Sequence, residues 1–499
     1  MSECDQRVRR IAIVGKSQQL WPVATLLAHS LPEGMHLVLV EDVESVAPAA
    51  VTVRLDDPFL LRLGIGAKDF SATDSAVFAL GVTLLDWQGE SSRFHLTGSG
   101  SLPAIDDIAI HQILLRAALS YDQAQKLAYL YQPFRFPARA VEAGKFAFQS
   151  TDLRSPMSML RPTVQIDQAD FAALFKDRFP TDRAEIVKGK PSAGLAHKGS
   201  EFIEQIDLDN GQVIKADFFV DVSGGLDDLA DKRRQMDWHP LFEGLPFDRL
   251  ASARNAEVSP PSEKQETAKT LDGGLLVQTP LRETSIAQLV YASRELTDDA
   301  AQSLLGDGAQ STMFKPGYVN APWHGNVARL GSASVKFGPY LSTDITMLLR
   351  QTMVLAAHMP TRLDMTVEAR EYNRRHLIAV EQVRDFVLLP FALNRREDAI
   401  WSEMRDSKLS ENLAIKIEQF RSRGRLASFE GEIFDEQSWI DLMIGCGIVP
   451  GRYDPMAASL DMTHMARRLK NLSAAFDQAL VRMPEYEDGV RDFGSNETR

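Results

Sequence analysis

Cysteine is almost absent from this chain. Its 499 residues include two, Cys4 and Cys446, too far apart to suggest a disulfide framework and without the paired spacing of a zinc site. A reducing compartment suits such a sequence, and no metal centre is expected. Long apolar runs are missing too: no segment approaches the roughly 20 apolar residues of a membrane helix, and the opening MSECDQRVRR is too charged for a secretory signal. Positive charge is in deficit, with 55 Lys and Arg against 68 Asp and Glu and a net charge of −13 at pH 7. That balance repels phosphate backbones and anionic lipid. The expectation is a cytoplasmic protein with neither nucleic acid nor membrane as a partner.

With 44% hydrophobic and 25% charged residues, the composition is that of a globular chain, and the length allows two to three structural units. The segments IAIVG, PVATLLAHSL and HLVLVED read as strand, helix and strand, the opening of a doubly wound α/β sheet with the helical pattern starting at Pro22. GVTLLDW (81–87) is strand-like. LRPTVQIDQADFAALFKDRF reads as a helix leading into β-rich chain, where Asn210-Gly211 marks a hairpin before a buried strand at 217–222. The polar stretch 253–272, with its Pro-Pro pair, predicts an exposed connection or lid. Strands resume at GGLLVQTPL and SIAQLVYAS, and after Asp344 the pattern is mostly helical. The expected division is a unit over 1–345, with substrate-region strands and helices interleaved, and a mainly helical region over 346–499.

A dinucleotide-binding loop uses glycine three times: for a tight turn, for close approach of backbone N–H groups to a pyrophosphate, and for close helix–strand packing. In RRIAIVGKSQQLWPVATLLAH only the first survives, at Gly15, while Ser17 and Leu20 stand at the second and third positions. Serine can donate a hydrogen bond to phosphate, but its Cβ restricts positive φ. Leu20 predicts a helix held further from the strand. Pro22 suits a first helical turn, whose free N–H groups attract phosphate. Glu41 closes HLVLVE where an acid would bind a ribose hydroxyl, at a longer interval than the usual 20 or so residues. On these residues alone two readings stand: a loop that still holds a nucleotide, and one kept for the fold.

The order of segments resembles the flavin-dependent tryptophan halogenase family along nearly the whole chain. IVGKSQQLWPVATLLA is similar to the family's glycine loop and following Gly-Trp, with Trp21 retained. RLDDPFLLRLGIGAKDF resembles its Gly-Glu-x-x-x-Pro segment, and ADFFVDVSGG its Asp-x-Ser-Gly strand end, carried by Asp221, Ser223 and Gly224. SIAQLVYASRELTDDAA and WHGNVARLGSASVKFGPYLSTDI, the latter with Gly331, Pro339 and Thr343, resemble the segments before and at the family's Glu-Pro-Leu-Glu-Ser-Thr-Gly-Ile motif. Arg384, Asp385, Phe386 and Trp439 match its C-terminal landmarks. The resemblance implies a Rossmann-like FAD-binding fold of the flavin monooxygenase type with a β-rich substrate region and a helical C-terminal part. It also implies an enzyme that turns reduced flavin, O₂ and halide into hypohalous acid and delivers it to an aromatic substrate, with a lysine and a glutamate positioning the halogenating species.

Those catalytic groups are not where the resemblance places them. Ala79 stands at the lysine position and Leu341 at the glutamate position, with Gly338 replacing the glutamate before Pro339. Leu275 and Val277 replace the two tryptophans that screen substrate from flavin, and Arg54 replaces the glutamate of Gly-Glu. Asp344 follows Thr343 where glycine would flank a backbone halide site. Two like charges about 4 Å apart repel by roughly 4 kcal/mol at an effective dielectric near 20. The losses cluster at the chemistry and spare the framework. The expectation is a family member that does not halogenate conventionally, with FAD binding weakened or lost, acting as a non-catalytic partner of an active flavoenzyme. The alternative is an FAD-dependent monooxygenase or halogenase acting on an indole-type aromatic with altered residues drawn from Lys336, His324, Tyr340 and Asp344. The cofactor-binding positions implied are Gly15, Ser17, Leu20, Trp21, Glu41, Asp221, Ser223, Gly224, Gly331, Pro339 and Thr343. Expected partners are an aromatic small molecule or peptide, a second copy or a related flavoprotein, and a flavin reductase if the chain is active.

Overall fold

A strand covered on both faces must be apolar throughout rather than alternating, and Ile11–Val14 are buried without exception. In the computed structural model, which describes residues 7–32, 34–44, 46–98, 104–196, 202–226, 238–255, 264–426 and 432–491, this run lies at the centre of a parallel sheet. There β1 (Arg10–Lys16) pairs with β2 (His36–Asp42) on one side and with the strand Phe218–Asp221 on the other. Among the described residues the sheet has six strands, with Ala184–Lys188 beyond β2 and then Val327–Arg329 and Trp323–His324 beyond Phe218–Asp221, parallel except for the last pair. Helix α1 (Ser17–Ser30) packs between the sheet and the helices Gln168–Lys176 and Thr343–Ala357. The fold is the expected α/β class.

Two further sheets carry the rest of the site. β3 (Ala50–Arg54), the strand Thr163–Asp167 and β4 (Val77–Ala79) form a small antiparallel sheet. β5 (Gly81–Leu85) and β6 (Arg93–Thr97) close a larger one that runs through Glu266–Leu271, Gly274–Pro280, Ser285–Tyr291, Arg249–Asn255 and Gln310–Met313. Its apolar face meets the long helix Thr366–Ala392 in a core holding Trp87, Phe391, Trp401 and Trp439. The hairpin expected at Asn210-Gly211 joins Ile203–Leu208 to Val213–Lys215, with Gly211 at φ +83°. Among the described residues no helix is long and apolar enough to cross a membrane.

Three boundaries differ from expectation. α1 starts at Ser17, directly after the strand, so Pro22 lies inside the helix and not in its first turn. The chain turns without a loop because the Lys16 N–H donates to Ser223 Oγ at 2.9 Å, and Pro22 removes only one i→i−4 hydrogen bond. The segment 160–179 is strand before it is helix. Thr163–Asp167 is buried at every position, which hides its alternation, and the Asp167 carboxylate caps the helix by accepting from the Ala169 N–H at 2.7 Å. The stretch 253–272 is no simple connection: its ends belong to the strands Arg249–Asn255 and Glu266–Leu271. Its middle, 256–263 with the Pro-Pro pair, lies outside the described residues.

Gly15 is a tight point of the parallel sheet. A Cβ there would stand 2.3 Å from Val222 Cγ2 and 2.7 Å from Ser223 Oγ. Gly15→Ala is expected to cost about 1 to 3 kcal/mol, the usual range for overpacking, read as a lower denaturation midpoint at unchanged slope.

Candidate functional site

The sheet brings the first group of expected residues together at the carboxyl ends of its strands. Asp221 is fully buried and acts on its own turn: Oδ1 accepts from the N–H groups of Ser223, Gly224 and Gly225, and Oδ2 from that of Leu226. Ser223 in turn accepts from Lys16. Leu20 and Trp21 are buried in the core beneath α1. Glu41 is 3% exposed, and its Oε1 already accepts from the Trp21 indole N–H at 2.7 Å, from Ser17 Oγ at 2.8 Å and from Lys176 Nζ at 3.3 Å. Burial raises the Glu41 pKa, but the hydrogen bonds from Trp21 and Ser17 and the charge of Lys176 outweigh it and hold the carboxylate below its usual range. Lys176 also lies over the Trp21 ring, 4.5 Å from its centre. One oxygen of the acid expected to meet a ribose is thus engaged by the chain itself, while Oε2 has only a 3.5 Å contact from Lys176.

Next to these strand ends lies a cleft enclosing about 120 Å³, or about 700 Å³ counting its open mouth. Gln19 from the first turn of α1 reaches across one end of it. Gln19 Oε1 accepts from the Ser332 N–H at 3.1 Å and Gln19 Nε2 donates to Ser332 Oγ at 3.1 Å. Gly331 is pressed against this bridge, since a Cβ there would stand 2.2 Å from Gln19 Oε1, and its N–H donates to Gln351 Oε1 at 2.8 Å.

The segment from Lys336 to Asp344 forms the other end. Pro339 leads into a turn in which Leu341 and Ser342 both take left-handed conformations, φ +56° and +48°, a state that costs non-glycine residues of order 1 kcal/mol each. Thr343 is buried and bonds back to the Tyr340 carbonyl. The Asp344 carboxylate does more than repel: it accepts from the N–H groups of Phe337 at 2.6 Å and Gly338 at 3.3 Å. Burial pushes its pKa up to about 6, against the pull of those N–H groups and of Lys336. Lys336 lines the cleft with its ammonium 5.8 Å from the Phe314 ring centre. His324 is exposed on the edge strand Trp323–His324 and does not line the cleft. Arg54, at the expected glutamate position, forks onto Asp56 with two contacts of 2.8 Å.

Deeper inside, Ala79 is buried at the end of β4 opposite Thr163, and Leu275 and Val277 are buried in the aromatic core. Pairing puts Ala79, Thr163 and Arg54 in one row and Val77, Gln165 and Thr52 in the next, all on one face of the small sheet. That face meets Glu266, which the sequence reading missed. Glu266 is 1% exposed. Its Oε2 accepts from Thr52 Oγ1 at 2.8 Å and Thr279 Oγ1 at 3.4 Å, while Oε1 has no partner among the described residues. Thr52 N–H donates to Ser342 Oγ at 2.9 Å, so one threonine ties this buried acid to the turn holding Leu341. The signal was parity: Glu266 shares the inward side of its strand with Ala268 and Thr270, a charged residue in a core position. Tyr340, also buried, leaves its hydroxyl without a partner among the described residues.

The comparisons agree on one lineage. A family model described as tryptophan halogenase matches residues 10–462. The chain is 20% identical to the tryptophan 7-halogenase RebH of Lentzea aerocolonigenes over 94% of each chain. It is 21% identical to the tryptophan 7-halogenase KtzQ of Kutzneria sp. (strain 744), over 84% of this chain and 82% of that one. Among solved structures, BrvH, a flavin-dependent halogenase from Brevundimonas sp. BAL3, superposes with a TM-score of 0.88 at 24% identity, covering 97% of this chain and 99% of its own.

Glu266 makes the interior testable by pH. Burial raises its pKa from 4.5 to about 7, against the hydrogen bonds from Thr52 and Thr279. The folded state therefore keeps a proton that the unfolded state has released. Stability is full below about pH 4.5, falls as pH rises toward 7, and levels off above it. The loss is roughly 3 kcal/mol at about 1.4 kcal/mol per pH unit. Glu266→Gln should flatten that decline in denaturant titrations between pH 4.5 and 8.

Proposed function

The chain belongs to the tryptophan halogenase family, and from that premise we propose a member that does not halogenate by the lysine and glutamate route. In this reading it holds FAD weakly or not at all and serves in the cytoplasm as a non-catalytic partner of an active flavoenzyme. The observation that carries the reading is the Asp344 carboxylate on the N–H groups of Phe337 and Gly338. A fixed negative charge there opposes any halide by several kcal/mol, roughly 4 kcal/mol at about 4 Å. Ala79 offers no cation to polarise an oxidant and Leu341 no base to accept a ring proton, the two services such a substitution needs.

The dinucleotide half of FAD fits the residues present poorly. A pyrophosphate needs close approach to the N–H groups at the start of α1; Ser17 and Leu20 stand where glycine would allow that approach, and the N–H of the preceding Lys16 is already given to Ser223. A ribose needs an acceptor within reach, and Glu41 is 3% exposed, with its Oε1 already serving Ser17, Trp21 and Lys176. Gln19 closed on Ser332 crosses the path between the strand ends and the cleft.

One observation favours a second reading, an FAD-dependent monooxygenase or halogenase for an indole-type aromatic, supplied by a flavin reductase. Glu266 sets a buried acid, its pKa raised to about 7, against the sheet face that carries Ala79. The two readings separate in one preparation. Protein mixed with FAD and desalted is expected to be colourless, and to leave tryptophan, indole and an aromatic peptide unchanged when supplied with reductase, flavin and halide. Stoichiometric yellow protein contradicts the weak-FAD reading, and turnover of any of the three substrates establishes the second one.

A further inference from the structure

We propose that the exposed rim formed by Arg421, Arg423 and Arg452 is a docking surface for a short acidic segment of a partner protein. None of these residues lines the cleft, so the surface stands whether or not the chain holds FAD.

The rim joins two segments separated in sequence. Arg421 and Arg423 lie in the last turn of the helix Glu411–Arg423, which ends at Gly424 in a left-handed conformation, φ +65°. The chain at 451–452 is laid against that turn. The Gly451 N–H donates to the Arg421 carbonyl at 2.7 Å, and Arg452 Nη2 donates to Ser422 Oγ at 3.2 Å. The Arg452 guanidinium is thus held at the residue between the other two arginines. Buried Gln112 ties the segments together: its Nε2 donates to the carbonyls of Arg423 and Gly424 at 3.0 and 2.7 Å, and its Oε1 accepts from the Asp454 N–H at 2.8 Å.

These positive charges meet without an answering negative one. All three arginines are exposed, and among the described residues none makes an ion pair. Glu418, on the preceding turn of the same helix, is exposed and pairs with none of them. The Asp454 carboxylate is buried and engaged, accepting from the Met456 N–H at 2.8 Å and from Arg425. Arginines in a last turn answer the helix dipole, a duty that Arg452 does not share. Like charges gathered in this way repel one another, and an anionic partner relieves that repulsion.

The chemistry selects the partner. Guanidinium forks match carboxylates two hydrogen bonds at a time, and arginine and methionine are enriched at protein interfaces. Met456 is 55% exposed beside exposed Pro455 and gives the rim an apolar contact. A nucleic-acid duplex or an anionic membrane spreads its charge over a rod or a plane, and would bring the chain's net charge of −13 against it. An acidic segment a few residues long meets the arginines alone.

The test is fluorescence anisotropy of a dye-labelled octaglutamate peptide titrated with the full-length chain at pH 7.5 and low salt, beside a labelled DNA duplex and vesicles containing phosphatidylserine. The peptide is expected to bind at least tenfold more tightly than duplex or vesicles. Arg421→Glu/Arg423→Glu and, independently, Arg452→Glu are each expected to weaken the peptide at least fivefold with the melting temperature unchanged. Arg62→Glu/Lys68→Glu makes the same change of charge at exposed positions on the helices Pro58–Arg62 and Ala67–Ser71, and is expected to weaken it less than twofold. No binding of the peptide overturns the proposal. Equal weakening by the two double variants shows attraction spread over the whole chain and also overturns it. Duplex or vesicles bound as tightly as the peptide overturn the acidic protein segment as the partner.

Discussion

The close approach of β1 to the chain just past its parallel neighbour Phe218–Asp221 governs the rest of this structure. No Cβ has room at Gly15 beside Val222 and Ser223, so the chain leaves β1 against its neighbour and enters α1 at once. That fixes where Ser17, Gln19 and Trp21 emerge, and it aligns the carboxyl ends of β1, β2 and Phe218–Asp221 along one edge. Edges of this kind are where open α/β sheets bind their ligands. Here the edge keeps its geometry while its polar groups turn inward on the chain.

Buried N–H and carboxylate groups must find partners whether or not a ligand is present. In a cofactor-dependent site some of that demand is left for the ligand. In this chain such partners come from within: Ser17 and Lys176 to Glu41, Gln19 to Ser332, Asp344 to Phe337 and Gly338. Each such bond is worth only about 1 kcal/mol net, yet displacing it leaves a buried group unsatisfied at about 1 to 3 kcal/mol. Several together set a cost that a dinucleotide has to overcome before it gains anything. The side chains of Ala79, Leu275 and Val277, by contrast, make no such polar bond and extend the core.

How much of this was legible before the structure depended on the kind of signal. The β1, α1 and β2 unit was plain because an apolar run, a polar break and a second apolar run allow few other folds. The start of α1 was misplaced because Pro22 looks like a first-turn residue, and nothing local records the bond from Lys16 to Ser223, which are far apart in sequence. Thr163–Asp167 was hidden by complete burial. Asp344 was noticed as a charge beside a halide position, but only the folded turn reveals which N–H groups it holds. Glu266 escaped notice because it opens a strand inside a stretch that reads as polar connection, where one more acid carries no signal. Its burial is set by two strands distant in sequence, those bearing Thr52 and Val82, together with the hairpin strand that carries Thr279.

The chain's own side chains hold the N–H groups of Lys16, Ser332, Phe337 and Gly338, and Asp344 sets a carboxylate at the turn where an anion would rest. The direct measurement is anomalous diffraction from crystals soaked in concentrated bromide at pH 8, above the Asp344 pKa of about 6. The expected result is Asp344 on Phe337 and Gly338 and no ordered bromide beside Thr343 and Asp344. A bromide peak there, with the carboxylate swung away, would contradict it.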